Sequence, residues 1–346
     1  MTSQAIASVV VCTRNRSGSI PETLEALAAL DTPGVEVIIV DSSEGAEQEN
    51  TETLARKFGA KYVIERLRGL SRARNTGIAA ASGEIIAFTD DDCVPEKDWL
   101  TQKLKNYSDP SVWACTGRVI QGLTGGASGL FEEVAGQDLG KERRVFTPAD
   151  VQGGIGFVLS NVQKVFAKHM KSGAPAPFGI GHGSSLSFRK KVFDTSGGFD
   201  IRFGGGAPFK GCDDIEMLYR VLRGGHKIVY EPAAVIYHKH RLTSDDSGSS
   251  AARQSDESTA EEVFKTRYVY SFSNGAMLRE FRSQPPMFMM FYGRLLQLFL
   301  KNMQYRLTGN KTLAKSFGAD LRGFLDGCKM HKKLSKENPA AHKPVG

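Results

Sequence analysis

Short apolar runs rich in β-branched residues alternate with helix-like segments over residues 7–116. Four of these runs predict strands, at residues 7–11, 35–40, 61–64 and 84–89. Helices are predicted between them, at about residues 19–30, 47–58 and 71–81. A fifth apolar run contains Trp113. This rhythm is typical of repeated βα units, so we expect an α/β fold in which helices flank a mostly parallel, Rossmann-like sheet.

The composition fits a folded protein with a large core. The chain has 346 residues, of which 40% are hydrophobic and 24% are charged, which excludes disordered and fibrous classes. Its five cysteines form no CxxC pair, which argues against a zinc ribbon or a disulfide scaffold and favours a reducing, cytosolic setting. We see no secretory signal at the start and no run of apolar residues long enough for a transmembrane helix.

Four segments follow from the change in composition along the chain, with boundaries at residues 1–120, 121–242, 243–262 and 263–346. The second is glycine-rich to about residue 210 and predicts loops, then a helix at 213–223, a strand at 227–230 and an apolar run ending at His238. The third is serine-rich and predicts a flexible linker. The fourth predicts a basic, mainly helical extension.

The positive charge is concentrated in the last segment. The net charge of the chain is +7, but residues 263–346 hold 15 Lys and Arg against 4 Asp and Glu, so the rest is slightly acidic. Within this segment, residues 286–307 mix large apolar residues with basic ones and could lie on an anionic membrane surface. The alternative is an ordinary helix packed on the catalytic domain or on a second subunit. Because the segment has few interleaved aromatic residues, we expect no nucleic-acid partner.

Three adjacent carboxylates, Asp90, Asp91 and Asp92, come directly after a strand predicted to be buried. They repel one another unless a cation or a hydrogen-bond network compensates. A divalent cation such as Mg²⁺ or Mn²⁺ prefers such oxygen ligands and bridges to substrate phosphates. The alternative is a solvated acidic turn that caps a helix.

Other polar residues follow the neighbouring strands at the same predicted edge of the sheet. Ligands bind beyond the carboxyl ends of parallel strands, so these residues predict a binding site there. No GxGxxG or P-loop motif is present, and a nucleotide would have to be held by carboxylates, metal and side chains. The candidates are Thr13, Arg14, Asn15, Asp41, Arg72, Arg74 and Asn75.

A second acidic pair, Asp213 and Asp214, opens the predicted helix at 213–223. Helix capping alone explains carboxylates at this position, and a general base tuned by its neighbour explains them equally well. His238 and His240 lie at alternate positions of an extended segment and would face the same side. Either could ligate a metal, or each could simply be bonded to backbone.

The order of these features resembles the family 2 glycosyltransferases, which have the GT-A fold, over roughly residues 7–241. The matching segments are 9–16 (VVVCTRNR), 40–43 (VDSS), 73–77 (ARNTG) with 87–92 (AFTDDD), 181–190 (GHGSSLSFRK) and 197–200 (GGFD). Asp213 and Asp214 stand where the family usually has Glu-Asp, followed by Arg220 and residues 224–226 in frame.

The resemblance implies an inverting transfer of a hexose from a nucleoside-diphosphate sugar to an acceptor hydroxyl. It implies that Asp214 is the catalytic base, supported by Asp213, and that Asp92 with His238 holds Mn²⁺ or Mg²⁺. Asp41 would pair with the base, and Asp90 would contact the ribose or waters around the metal. The remaining donor-binding residues would be Thr13, Arg14, Asn15, Arg72, Asn75, Asp91 and Gly183.

By the same resemblance, residues 1–120 would bind the donor and residues 121–242 the acceptor. The acceptor would be a carbohydrate or a lipid-linked molecule in cell-envelope, polysaccharide or glycolipid synthesis. We expect a cytoplasmic protein that is free or peripheral on the inner face of the membrane, with its oligomeric state open. The alternatives are a sugar-phosphate nucleotidyltransferase and a non-enzymatic protein that binds nucleic acid or membrane.

Overall fold

A computed structural model describes residues 5–121, 138–152, 180–239, 256–283 and 285–337. The strands are β1 (Ala7–Thr13), β2 (Val35–Asp41), β3 (Lys61–Ile64), β4 (Ile85–Asp90), β5 (Cys93–Pro95), β6 (Val112–Gln121), β7 (Arg144–Phe146), β8 (Leu186–Arg189) and β9 (Lys227–His238). The helices are α1 (Ile20–Ala28), α2 (Ala46–Lys57), α3 (Leu70–Ala80), α4 (Trp99–Lys105), α5 (Ala149–Gln152), α6 (Lys191–Ser196), α7 (Asp213–Arg223), α8 (Asp256–Glu280), α9 (Pro285–Leu307) and α10 (Lys311–Glu337).

The strands form one mixed sheet in the order β3-β2-β1-β4-β8-β6-β9-β5, with β7 paired to β9. In this sheet β3, β2, β1 and β4 are parallel to one another, and β6 is parallel to β9. Strand β8 is antiparallel to β4 and β6. The expected sheet of mostly parallel strands flanked by helices is confirmed.

Strand β1 shows why this sheet lies in the middle of the molecule. Its side chains alternate between the two faces, and both faces are buried. Val10 packs in one hydrophobic cluster with Phe88 and Leu218, whereas Val9 and Val11 pack in a second cluster on the other face. A continuous run of β-branched residues is therefore what a central parallel strand of this sheet needs.

Two expectations for the second half of the sheet are corrected. The glycine-rich region contains a strand, β8, in the centre of the sheet, although we expected loops there. The strand expected at 227–230 and the apolar run after it are one strand, β9, whose register with β6 shifts at Gly117/Arg118. Beyond this irregularity, β9 also pairs with β5 up to His238, its last residue.

The C-terminal helices belong to the same hydrophobic core as the sheet. Met277 and Phe281 of α8 and Phe324 of α10 lie in one buried cluster with residues of α7. Helix α8 begins at Asp256, inside the segment 243–262 predicted as a linker, whose residues 243–255 lie outside the described ranges. Among the helices that the structure describes, none combines the length and hydropathy that a membrane crossing requires.

Candidate active site

The end of β4 and the short strand β5 bring four potential ligands together. Carboxylate, thiol and imidazole atoms of Asp90, Asp92, Cys93 and His238 all lie within 4.8 Å of one another. His238 is in this group because β9 runs antiparallel to β5, where it lies opposite Cys93. The sheet thus joins residues that are almost 150 positions apart in the chain, and it unites the predicted metal ligands Asp92 and His238.

The two carboxylate oxygens of Asp92 contact different partners. Its Oδ2 accepts a hydrogen bond of 2.6 Å from the Arg16 guanidinium. Its Oδ1 lies 3.1 Å from His238 Nε2, but it is buried without a well-directed hydrogen bond from the described residues. Burial opposes ionisation, yet the His238 ring and the Arg16 charge outweigh it and lower the pKa of Asp92.

Asp91 is the structural member of the triplet. It is 3% exposed. Its carboxylate accepts a 2.6 Å hydrogen bond from Thr13 and forms a 2.9 Å ion pair with Arg16. Burial raises its pKa to about 7, although Arg16 acts in the opposite direction. Asp91 and Thr13, both predicted to bind the donor, therefore bond to each other and tie β1 to the loop after β4.

The potential metal ligands of this cluster fit a hard divalent cation. Oδ1 of Asp92 and Nε2 of His238 lie 3.1 Å apart, close enough for both atoms to ligate one ion. Burial raises the pKa of the Cys93 thiol well above its usual value, so Cys93 stays protonated and is a poor ligand. Two carboxylates and one imidazole remain, a set that suits Mn²⁺ or Mg²⁺. His240, the alternative to His238, lies outside the described residues.

The second acidic pair lies at the start of α7, after a backbone turn. Cys212 has a left-handed φ of 66°, and its thiol donates a 3.3 Å hydrogen bond to Asn274 of α8. This turn aims Asp213 and Asp214 back toward the sheet, and the bond to Asn274 brings α8 to the edge of the site. Tyr270 lies one turn earlier on α8, where burial of its hydroxyl and then the charge of Asp214 raise its pKa.

Asp213 and Asp214 have different surroundings. Asp213 is 6% exposed and forms a close ion pair with the Arg74 guanidinium. Asp214 accepts backbone hydrogen bonds from Ile215, at 2.8 Å, and from Gly183. Burial and the neighbouring charge of Asp213 raise the pKa of Asp214 to about 6. A carboxylate with a pKa just below neutrality has the protonation behaviour of a general base.

Arg74 connects the two acidic clusters. Besides Asp213, its guanidinium donates a 3.1 Å hydrogen bond to the Gly183 carbonyl and lies 3.8 Å from Asp90. It is 3% exposed and stacks near the Phe199 ring, at 5.2 Å from its centroid. One buried cation thus fixes the distance between the candidate base and the candidate metal site.

The predicted base-binding residue Asp41 lies at the end of β2, paired in register with Thr13. It is fully buried, and its two oxygens accept hydrogen bonds of 2.8 Å from Tyr62 and from the Ser43 backbone. Asn15 has a left-handed φ of 53° and donates from its backbone to Ser43. Thr13, Asn15 and Asp41 therefore lie side by side at the carboxyl edge of β1 and β2.

The other predicted donor residues take separate positions. Asn75 exchanges two hydrogen bonds, of 2.7 and 2.8 Å, with the backbone of Phe199, so its amide holds the loop that carries Gly198. Arg72 is partly exposed on α3, and Arg14 is exposed after β1. Both arginine side chains reach solvent.

Two arginines of the site make contacts that the sequence did not predict. Arg16 pairs with Asp91 and Asp92, and it was not among the predicted site residues. Arg74 was considered only as a contact to a nucleotide. Three adjacent carboxylates after a buried strand required a nearby cation, and this excess of negative charge is the signal from which both arginines could have been inferred.

The family comparison agrees with the motifs. Residues 8–166 match the family model described as glycosyl transferase family 2. This span covers the strands from β1 to β6 and the loop with the three aspartates. The resemblance inferred from the sequence is confirmed.

Two curated relatives match about two thirds of the chain. A pre-mycofactocin glycosyltransferase of Mycobacterium tuberculosis is 25% identical over 241 residues, which cover 68% of this chain and 43% of the relative. This chain thus spans less than half the length of the mycobacterial protein. A glucosyl-dolichyl phosphate glucuronosyltransferase of Haloferax volcanii is 26% identical over 243 residues, which cover 67% of this chain and 68% of the relative.

A solved structure matches nearly the whole fold. It is the mannosyltransferase PcManGT from Pyrobaculum calidifontis in complex with GDP-Man and Mn²⁺, with a TM-score of 0.53 and 18% identity. The match covers 99% of this chain and 83% of that chain. At this identity the likeness establishes the GT-A fold alone.

Proposed function

Because residues 8–166 match glycosyl transferase family 2, we propose that this chain transfers a hexose from a nucleoside-diphosphate sugar to an acceptor hydroxyl. The transfer inverts the configuration at the sugar carbon, and it serves polysaccharide or glycolipid synthesis. The observation that carries the proposal is the bridge made by Arg74, whose guanidinium contacts Asp213 and lies 3.8 Å from Asp90. It sets a candidate base beside a site suited to a diphosphate.

The base in this mechanism is Asp214. A single displacement with inversion needs one group that removes the proton of the acceptor hydroxyl as the new bond to the sugar forms. Asp214 suits this role since it is partly exposed and its pKa is about 6. Asp213 holds Arg74 and so supports the position of the base. The Gly183 backbone bonds to both Arg74 and Asp214 and keeps them together.

On the donor side, Asp92 and His238 would hold Mn²⁺ or Mg²⁺, with Asp90 beside them. Such a cation neutralises the charge that develops on a diphosphate leaving group. Asp90 would contact the ribose or waters around the ion. Asp41 would recognise the base through its carboxylate, whose oxygens can each accept one hydrogen bond more than those from Tyr62 and Ser43. Arg14 and Arg72 would reach the phosphates. The wall of the donor site would be formed by the remaining predicted residues, Thr13, Asn15, Asn75, Asp91 and Gly183.

The relatives suggest which partners to test first. The name of the Haloferax volcanii relative refers to a sugar linked to dolichyl phosphate. This supports a lipid-linked acceptor as the first class of acceptor to test. The archaeal mannosyltransferase structure contains GDP-Man and Mn²⁺, so this pair is the natural starting point among donors and ions.

Donor binding can be measured by thermal shift with UDP-, GDP- and dTDP-sugars, each with and without Mn²⁺. A ligand that binds the folded protein raises its apparent stability by mass action, so we expect one nucleotide class to raise Tm only when Mn²⁺ is present. Asp92→Ala should lose this increase, and Asp194→Ala, a matched change of an exposed aspartate on α6, should keep it. Equal shifts in Asp92→Ala and the wild type would contradict the assignment of the metal site.

A further inference from the structure

Helix α9 has one face packed against α10. Phe291 is 7% exposed, with its ring 5.3 Å from that of Phe324, and Leu298 is fully buried. Asn302 donates a 2.9 Å hydrogen bond to the carbonyl of Ala314 at the start of α10. These contacts fix the rotation of α9 about its axis and so decide which of its residues face outward.

The opposite face of α9 is apolar and exposed. At the 3.6-residue period of a helix, its large side chains fall within an arc of roughly 100°. They are between 44% and 80% exposed, in a chain whose other large apolar residues are mostly buried. This outer stripe consists of Tyr292, Leu296, Phe299, Leu300, Met303 and Leu307. So large a contiguous apolar patch marks an interaction surface.

The charge around the outer stripe has a single sign. Between Phe281 and Ala319 the sequence contains six Lys and Arg residues and no Asp or Glu. Arg306 is exposed at the end of α9, and Lys311 and Lys315 are exposed on the first turns of α10. An apolar stripe edged by cations alone complements a surface that is apolar inside and anionic outside.

We propose that the outer stripe docks the protein on an anionic lipid surface, with α9 lying in the plane of the membrane interface. The stripe enters the boundary of the acyl chains, and the lysines and Arg306 contact the lipid phosphates. A second copy of the chain fits the stripe less well. A two-fold contact through it would place each cationic segment against itself, and the segment between Phe281 and Ala319 holds no acid to offset the repulsion.

Vesicle sedimentation of the full-length protein tests this surface without any assay of activity. The vesicles are phosphatidylcholine alone or its equimolar mixture with phosphatidylglycerol. We expect binding to the anionic vesicles, weak binding to the neutral ones, and a decrease as salt rises. Lys311→Gln combined with Lys315→Gln should weaken anionic binding by roughly thirtyfold, since two interfacial charges are lost.

A matched pair of substitutions tests the contribution of the apolar side chains to vesicle binding. Leu296→Glu in the outer stripe and Ile6→Glu before β1 change isomeric side chains that are 58% and 54% exposed. We expect Leu296→Glu to abolish most of the binding and Ile6→Glu to retain it, with both proteins folded by circular dichroism. Equal binding of the two variants, or no binding by the wild type, would overturn the proposal. So would a wild-type dimer that Leu296→Glu dissociates without a change in vesicle binding.

Discussion

At the scale of single residues, Asp213 and Asp214 acquire different chemistry from their contacts. Both carboxylates lie at the start of α7, but the Arg74 guanidinium pairs with Asp213. Asp214 is left with backbone donors, burial and the negative charge of its neighbour, which together raise its pKa to about 6. Their contacts therefore distinguish the two carboxylates, a distinction that the sequence alone left open.

Replacement of the base should remove catalysis and leave donor binding intact. Asp214→Asn keeps the size and the backbone hydrogen bonds of the side chain but cannot accept the acceptor proton. We expect turnover to fall by roughly 10²–10⁴, the usual contribution of a general base. Steady-state kinetics gives turnover, and thermal shift gives donor affinity. Near-normal turnover in Asp214→Asn would show that another group is the base, and Asp194→Asn serves as the control.

The rate should depend on the ionisation of Asp214. Its pKa is raised to about 6, so below this pH it carries a proton and cannot act as a base, and above it the carboxylate is free. We expect kcat/KM to rise about tenfold per pH unit up to about pH 6 and then to level off. A profile measured with saturating metal would argue against this assignment if it stayed flat across the same range.

Arg74 should set the position of that pH profile. Its positive charge lowers the pKa of Asp214, against the larger effects of burial and Asp213. In Arg74→Gln the pKa of Asp214 should rise, and the acid limb of kcat/KM should move to higher pH. Arg74→Lys keeps the charge and should leave the limb closer to that of the wild type. An unshifted limb in a folded Arg74→Gln protein would mean that Arg74 has only a packing role.

The sequence could predict the residues of the site better than their contacts. The carboxylate triplet, Asp41 and His238 follow strands, so the topology of a parallel sheet was enough to bring them to one edge. The roles of Arg16 and Asn75 depend on pairings across 76 and 124 positions of the chain. No local pattern encodes such distances, and only the folded sheet determines them.

At the scale of elements, prediction worked where local signals were strong. Strands β1 to β4 and helix α7 have clear periodicity and ends, and α7 was placed at its observed bounds. Strand β8 has four residues between a glycine-rich loop and a short helix, and its place in the centre of the sheet comes from pairing with β4 and β6. Such a strand is stabilised by its neighbours more than by its own sequence.

The packing of α8 against α10 depends on glycines in the helix interiors. A Cβ on Gly275 of α8 would overlap the carbonyl oxygen of Phe324, and one on Gly327 of α10 would overlap that of Phe272. Alanine normally stabilises a helix interior by about 1 kcal/mol relative to glycine, but here the helices would have to move apart.

Gly275→Ala and Gly327→Ala should therefore each lower the free energy of unfolding by about 1–3 kcal/mol. Denaturant unfolding measures the change. Gly18→Ala is the control, because no atom lies within 4 Å of its added Cβ, and it should change stability by less than about 0.5 kcal/mol. Stabilisation by either helix substitution would contradict the close approach of α8 and α10.

At the scale of the whole molecule, charge divides between two regions that share one core. The net charge of +7 comes from the C-terminal segment, whereas the sheet carries the acidic clusters. The described C-terminal helices nevertheless bury Met277 and Phe324 with the residues of α7, and α8 reaches the turn before Asp213 through Asn274. A surface suited to lipid and a site suited to sugar transfer are thus parts of one packed structure.

The most direct test of the account is to identify the product released from a nucleotide. Purified protein with Mn²⁺ and each of the UDP-, GDP- and dTDP-sugars should release a nucleoside diphosphate from one of them, slowly without acceptor and faster with a lipid-linked acceptor. Chelation of the metal and Asp92→Ala should both stop this release. Release of pyrophosphate from a nucleoside triphosphate in the presence of a sugar phosphate, with no nucleoside diphosphate from any sugar nucleotide, would contradict the account and identify a nucleotidyltransferase.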